Sequence, residues 1–139
     1  MAHKRRTAPG GTRGSVFKEV ARIRREDAAV LFESRRYRGA IYLAGYAVEC
    51  LLKWAITDRC EITYLPAELE THDWDTLLPE AGLANSLRTN QPLRAVYSEL
   101  AELWGPELRY LSKEPAPREA ERLYQQMEQV YRWVNEETL

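Results

Sequence analysis

Apolar residues recur every three or four positions along most of this chain, the spacing that lines one face of an α-helix. The cleanest stripe lies near the C-terminus, with Ala120, Leu123, Tyr124, Met127, Val130, Tyr131 and Val134. It predicts a core-facing helix introduced by Pro115 and Pro117. A second stripe, Leu93, Val96, Tyr97, Leu100, Leu103 and Trp104, predicts a helix that opens at Pro92 and stops at Gly105-Pro106. Over residues 16–34, Val16, Val20, Ile23, Val30 and Leu31 fall near one face, which the pattern assigns to the core. Lys18, Arg22 and Arg25 then face water, and Ser15 is the expected N-cap. Over residues 36–59 apolar side chains run most of the way round, from Ala40 and Ile41 through Val48, Leu51 and Leu52 to Ile56. Such a helix belongs at the centre of a bundle. Its Ala40, Ala44, Gly45 and Ala47 let neighbouring backbones come close. Gly45 costs about 1 kcal/mol of helix propensity against Ala, so close packing has to justify it.

The middle of the chain is punctuated differently. Residues 61–70 read as a loop around Pro66. Thr71 can cap a short third helix, with Asp73 and Asp75 in its positive first turn and Leu77 and Leu78 as its core residues. Pro79 should bend or interrupt that helix, and Gly82 should stop it, with Leu83 folding back. No segment alternates with period two over a strand's length, and no internal repeat is present. The fold class is all-α: an antiparallel four-helix bundle with an additional short helix. Residues 15–139 form one domain, preceded by a flexible basic tail at 1–14 carrying Lys4, Arg5 and Arg6.

Net charge is −1, but it is unevenly distributed. Residues 1–60 hold thirteen Lys/Arg against six Asp/Glu, and residues 61–139 hold seven against fifteen. Two readings follow: the halves attract each other within the fold or across a dimer, or the basic half meets nucleic acid. Cys50 and Cys60 are too few for a disulfide framework and read as reduced thiols of a cytoplasmic protein. No apolar run is expected to reach the roughly 18–20 residues of a membrane span, and no secretory signal is expected.

Candidate chemistry is sparse. Glu49 and Lys53 stand four residues apart on the apolar central helix, either as a structural bridge or as a pocket wall. His72 is expected to bond locally at the third helix's start, and with no ligand pattern beside it no metal site is expected. Arg109 and Tyr110 follow the Gly-Pro break, where they could grip a phosphate and stack on a base, or pair with a carboxylate to fix a turn. Arg22, Arg25, Arg35, Arg36 and Arg38 could build a phosphate-binding surface, or simply be solvated. Tyr124, Met127 and Tyr131 read as core or dimer seam. There is no Gly-rich phosphate loop, no Ser/His/Asp order and no paired-cysteine motif, so no cofactor is expected.

The run Tyr42-Leu43-Ala44-Gly45-Tyr46-Ala47-Val48-Glu49-Cys50-Leu51-Leu52-Lys53 resembles the signature helix of HEPN-domain proteins. Thr71-His72-Asp73, Leu77-Leu78 and Ala81-Gly82-Leu83 look like the family's next block, and Trp104 with Arg109-Tyr110 like the turn before its last helix. The resemblance spans about residues 16–135. It implies a helical bundle that dimerises, often beside a nucleotidyltransferase in toxin–antitoxin and defence settings. The candidate ligand contacts are Tyr46, Glu49, Lys53, His72, Arg109 and Tyr110. A subset of the family cuts RNA with an Arg-x4–6-His motif, whose Arg sits by the scissile phosphate and whose His transfers a proton. This chain departs from that subset. Its histidines are His3 and His72; the positions that would carry the Arg before His72 are Leu65, Pro66 and Ala67. After Arg109 the positions for a His are Glu114, Pro115 and Ala116. The leading expectation is therefore a non-catalytic, dimeric binding module, acting with a nucleotidyltransferase-type or defence partner and taking nucleotide or RNA. The alternatives are a divergent, metal-independent ribonuclease using Arg109, Tyr110 and His72, and a simple nucleic-acid binder through the basic N-terminal half.

Overall fold

The computed structural model describes residues 11–138; the first ten residues, with most of the expected tail, lie outside the described part. The helices are α1 (Gly14–Glu33), α2 (Tyr37–Arg59), α3 (Trp74–Glu80), α4 (Ala84–Arg88), α5 (Gln91–Leu103), α6 (Pro106–Arg109) and α7 (Pro117–Glu137), with a single 3-10 turn at Ala67–Leu69. The protein is all-helical, and α1, α2, α5 and α7 are the four long helices that the apolar period predicts. The pattern predicts one short helix and the fold has three, because α4 and α6 are too brief for a period to show. Among the described residues the only strand-like pairing is a lone bridge between Arg13 and Tyr64.

α2 is the centre, as its apolar circumference requires. Ile41, Val48, Leu51, Leu52 and Ile56 are all buried, with α1, α3, α6 and α7 packed against it. By length and composition α2 also passes as a membrane span, with a mean hydropathy of 1.3 over its best window, contrary to the expectation that no run would. That window is 72% buried inside the bundle, which is the signature of a core helix. α7 buries the whole stripe read from the sequence, Ala120 through Val134.

Four expectations about local structure are corrected. α1 starts at Gly14, with Arg13 as N-cap and no side-chain cap, so Ser15 lies within the first turn. Residues 12–14 are tied down rather than free: Leu65 N–H donates to the Thr12 carbonyl at 3.0 Å, and Gly14 N–H to that of Thr63 at 3.0 Å. The cap of α3 is Asp73, whose carboxylate accepts from Asp75 N–H at 3.2 Å and from the Thr76 hydroxyl at 2.8 Å; the Thr71 hydroxyl, two residues earlier, accepts from Asp73 N–H. The largest correction concerns α1. Its buried residues are Gly14, Phe17, Ala21 and Ala28, whereas Val16 is 45% and Val30 62% exposed. The helix lies on α2 through small residues, which bring the backbones together but contribute little to a hydrophobic period.

Three helix ends share one geometry. At α3, Leu83 N–H donates to the Leu78 carbonyl and Gly82 N–H to that of Pro79, with Gly82 at φ 77°, a Schellman close. α1 ends the same way with Arg35 at φ 61° in the glycine position, and α2 with Glu61 at φ 54°. Glycine adopts this left-handed conformation without penalty; a residue with a Cβ is strained there.

Candidate functional site

The candidate site grows from one carboxylate. Glu49 is on α2, 2% exposed, and Lys53 follows one turn later, 5% exposed. Taking either charge out of water alone costs several kcal/mol, so the two are paired, Lys53 Nζ to Glu49 Oε2 at 3.0 Å. The Lys53 ammonium also stands 5.6 Å from the centroid of the Phe17 ring on α1. The second carboxylate oxygen takes two donors. Trp104, closing α5, donates its indole N–H to Oε1 at 3.3 Å, and His72, two residues before α3, places Nδ1 at 2.8 Å. An ionised carboxylate can only accept, so Nδ1 carries the proton and, in the neutral ring, Nε2 keeps its lone pair. The bond corrects the expectation of a local role for His72: it reaches back 23 residues to the core helix.

One buried Glu thus holds the start of α3 and the end of α5 against α2. Gly45 has its role here. A Cβ at that position would strike the Trp104 ring, so the ring can lie flat against the α2 backbone only above glycine. Trp104 is in turn 6.1 Å from Trp74 and 5.8 Å from Tyr42, ring centre to ring centre. Cys50, beside Glu49, is buried, and its thiol is pushed up to about 12, first by that burial and then by the Glu49 charge.

Outside this network the His72 ring is half exposed and lines a cavity of about 620 Å³ between the start of α3 and α5. Its walls include Thr71, Asp73, Asp75, Ser98 and Glu102. Among the described residues three carboxylates and no Lys or Arg border it, a lining that disfavours a phosphate and favours a cation or neutral polar group. No group of three or more metal-ligating side chains stands together among the described residues. A second hollow of about 400 Å³ has the opposite character. Ser15, Lys18, Glu19, Arg22, Arg25, Leu51, Trp54, Tyr131 and Asn135 form it from α1, α2 and α7.

The remaining residues singled out by the sequence scatter. Tyr46 is half-buried on α2, and its phenol is raised, mainly by burial, then by the neighbouring Cys50, Glu49 and Tyr42, with Arg24 opposing. Arg109 ends α6, and its side chain lies outside the described residues; Tyr110, next to it, is 74% exposed. Arg22 pairs with Glu19 and, at 2.7 Å, with Glu26. Arg25 grips Glu128 through two bonds of 2.9 and 3.1 Å, its guanidinium 4.4 Å from the Tyr131 ring centre. Arg38 donates to the Ser112 carbonyl at 2.6 Å and pairs with Glu114, pinning the loop before α7. Arg35 and Arg36 are exposed at the α1–α2 turn, about 20 Å along the helix axis from Arg22. The five arginines therefore do not form one continuous basic face. The fold does unite Glu49, Lys53 and His72, and adds Trp104, which the residue pattern left as a core and turn residue. Gly45 in the central helix was the signal that something large would lie there.

The sequence model of the HEPN domain matches residues 15–137, and the chain belongs to the HEPN domain family. HEPN domains are nucleotide-binding and ribonuclease-type modules. No curated protein and no solved structure matches the chain.

Proposed function

We propose that this HEPN chain is a cytoplasmic, dimeric binding module rather than a ribonuclease, and that it acts with a nucleotidyltransferase-type partner in a toxin–antitoxin or defence setting. One observation carries the non-catalytic part. His72, the histidine of the folded domain, is held on Glu49 and opens onto a cavity bordered by Asp73, Asp75 and Glu102. Phosphodiester cleavage needs a cation to offset charge developing on the phosphate. The described lining of that cavity supplies the opposite sign. The missing Arg-x4–6-His pair supports the same reading from the sequence. The partner and the setting rest on family membership.

The test is native mass spectrometry of the protein purified from its own host, with RNA cleavage measured on the same sample. A dimer carrying a second protein, without RNA cleavage, is expected. Cleavage that disappears in Arg109→Ala, with the fold intact, would overturn the reading in favour of a divergent ribonuclease.

A specific feature favours a nucleotide or RNA ligand elsewhere on the module. The second hollow combines Lys18, whose ammonium is 4.8 Å from the Trp54 ring centre, with Arg25 over Tyr131. Cations beside aromatic faces suit a phosphate next to a stacked base. Affinity for a short single-stranded RNA should then fall steeply as salt rises, and a salt-independent affinity would exclude this site.

A further inference from the structure

Much of the surface charge on this protein is paired within it. Glu19 and Glu26 hold Arg22, Asp27 holds Arg24, Glu128 holds Arg25, Glu114 holds Arg38, and Glu99 and Glu119 hold Arg122. The carboxylates around the cavity of about 620 Å³ are different. Among the described residues, Asp73, Asp75 and Glu102 line it without a Lys or Arg beside them. Ser98, Ala101 and Glu102 share one face of α5, with Gly105 just past its end, and Asp73 and Asp75 line the cavity from the start of α3. A cavity walled by one sign of charge focuses the field and concentrates the opposite sign.

Acidity alone does not make a site, but a buried polar group stands behind this wall. Tyr97, one residue before Ser98, is 2% exposed, and its hydroxyl has no hydrogen-bond partner among the described residues. Burial raises its phenol first, and the charges of Asp75 and then Asp73 raise it further, so the hydroxyl lies toward the acidic wall. A buried hydroxyl left unpaired is costly, and a group that bonds it from the cavity recovers that cost. His72 adds an acceptor of fixed direction. Glu49 holds its Nδ1 at 2.8 Å, which leaves Nε2 of the neutral ring with its lone pair on the cavity side.

We propose that this cavity binds an aliphatic polyamine, with Asp75 and Glu102 each taking an ammonium group and His72 and Tyr97 accepting further N–H bonds. Its volume is that of a small-molecule site. No three metal-ligating side chains stand together among the described residues, so the carboxylates are too widely spread to enclose one small metal ion. Carboxylates spread in this way suit charges spaced along a chain. Ala101 and Gly105 supply an uncharged stretch of wall on which methylene linkers can lie. The ligand is opposite in sign to the phosphate expected at the Lys18–Arg25 hollow, and its binding does not depend on whether the module is dimeric.

The experiment is isothermal titration calorimetry of the full chain at low salt, with spermidine, Mg²⁺ and a hexalysine peptide as separate probes. Spermidine should bind one per chain, more weakly as salt rises. Asp75→Asn and Glu102→Gln, both at exposed positions, should each weaken it about three- to tenfold without lowering the melting temperature. Glu121→Gln, an exposed carboxylate on α7 outside the cavity, should leave it unchanged. Tyr97→Phe keeps the packed ring and deletes the unpaired hydroxyl, so it should melt no lower than the parent yet bind spermidine about threefold more weakly; a purely structural Tyr97 would not move the affinity. Absence of saturable spermidine binding overturns the proposal. So does binding that the cavity variants retain in full, or that Glu121→Gln weakens equally, which is diffuse attraction. Mg²⁺ bound more tightly than spermidine, with the same losses in Asp75→Asn and Glu102→Gln, reassigns the cavity to a metal ion. Hexalysine bound there in place of spermidine reassigns it to a basic segment of a partner protein, and either result overturns the polyamine. Each of these failures leaves the dimeric, non-catalytic reading standing.

Discussion

α1 and α7 flank the same central helix, both carry clear apolar stripes, and they use them in opposite ways. In α7 every residue of the stripe is buried, including Met127, Val130 and Val134 at 0% exposure. In α1 the two ends of the stripe, Val16 and Val30, face outward, Val20 and Leu31 pack only partly against the core, and the fully buried residues are Gly14, Phe17, Ala21 and Ala28. The difference comes from packing distance. α1 packs on α2 through alanines and Gly14, which bury little apolar area each but allow the backbones to come close. α7 packs through Leu, Met, Val and aromatic side chains, which fill a wider gap. An apolar stripe therefore shows that a helix face wants cover. It does not show whether the cover comes from the same chain.

The sharpest way to break this comparison is to truncate the α7 side. Met127→Ala, at a fully buried site, is expected to cost about 2–5 kcal/mol in urea unfolding, because a cavity remains where the thioether packed. A loss under half a kcal/mol would mean that the α7 contact is looser than the burial implies. On the α1 side the sensitive change is enlargement. Ala28→Leu should cost about 1–3 kcal/mol by forcing α1 away from α2, and a neutral result would remove the close-packing explanation. Arg35→Gly, at the left-handed close of α1, should raise stability by about 0.5–1 kcal/mol, since strain relief outweighs the added freedom of the unfolded chain. The smallest effect is assigned to Val30→Ala, within about 0.5 kcal/mol either way when measured dilute enough to hold the chain monomeric. A larger loss would show that Val30 is packed within its own chain.

How much of this was legible beforehand differs from element to element. The four long helices were visible because a period of 3.6 survives over three or more turns. The stop of α3 was visible because Gly82 announces the left-handed residue it supplies. The matching stops of α1 and α2 were not, because Arg35 and Glu61 occupy the same conformation against their preference. Only the surrounding contacts hold them there. The Glu49–Lys53 pair could be anticipated from four-residue spacing on an apolar helix. The Trp104 and His72 bonds to Glu49 could not, since they join residues 55 and 23 positions away. The acidic walls of the cavity are likewise assembled from α3 and α5, and no local pattern joins Asp75 to Glu102.

The sequence alone determined the all-helical class, the central place of α2 and the absence of the ribonuclease pair. These follow from periodicity, apolar circumference and residue identity, all of which are properties of local sequence. Only the tertiary structure decided which face of α1 meets the core and which three elements converge on Glu49. Both depend on how closely two helices approach, and that distance is set by side-chain volumes summed across partners far apart in the chain.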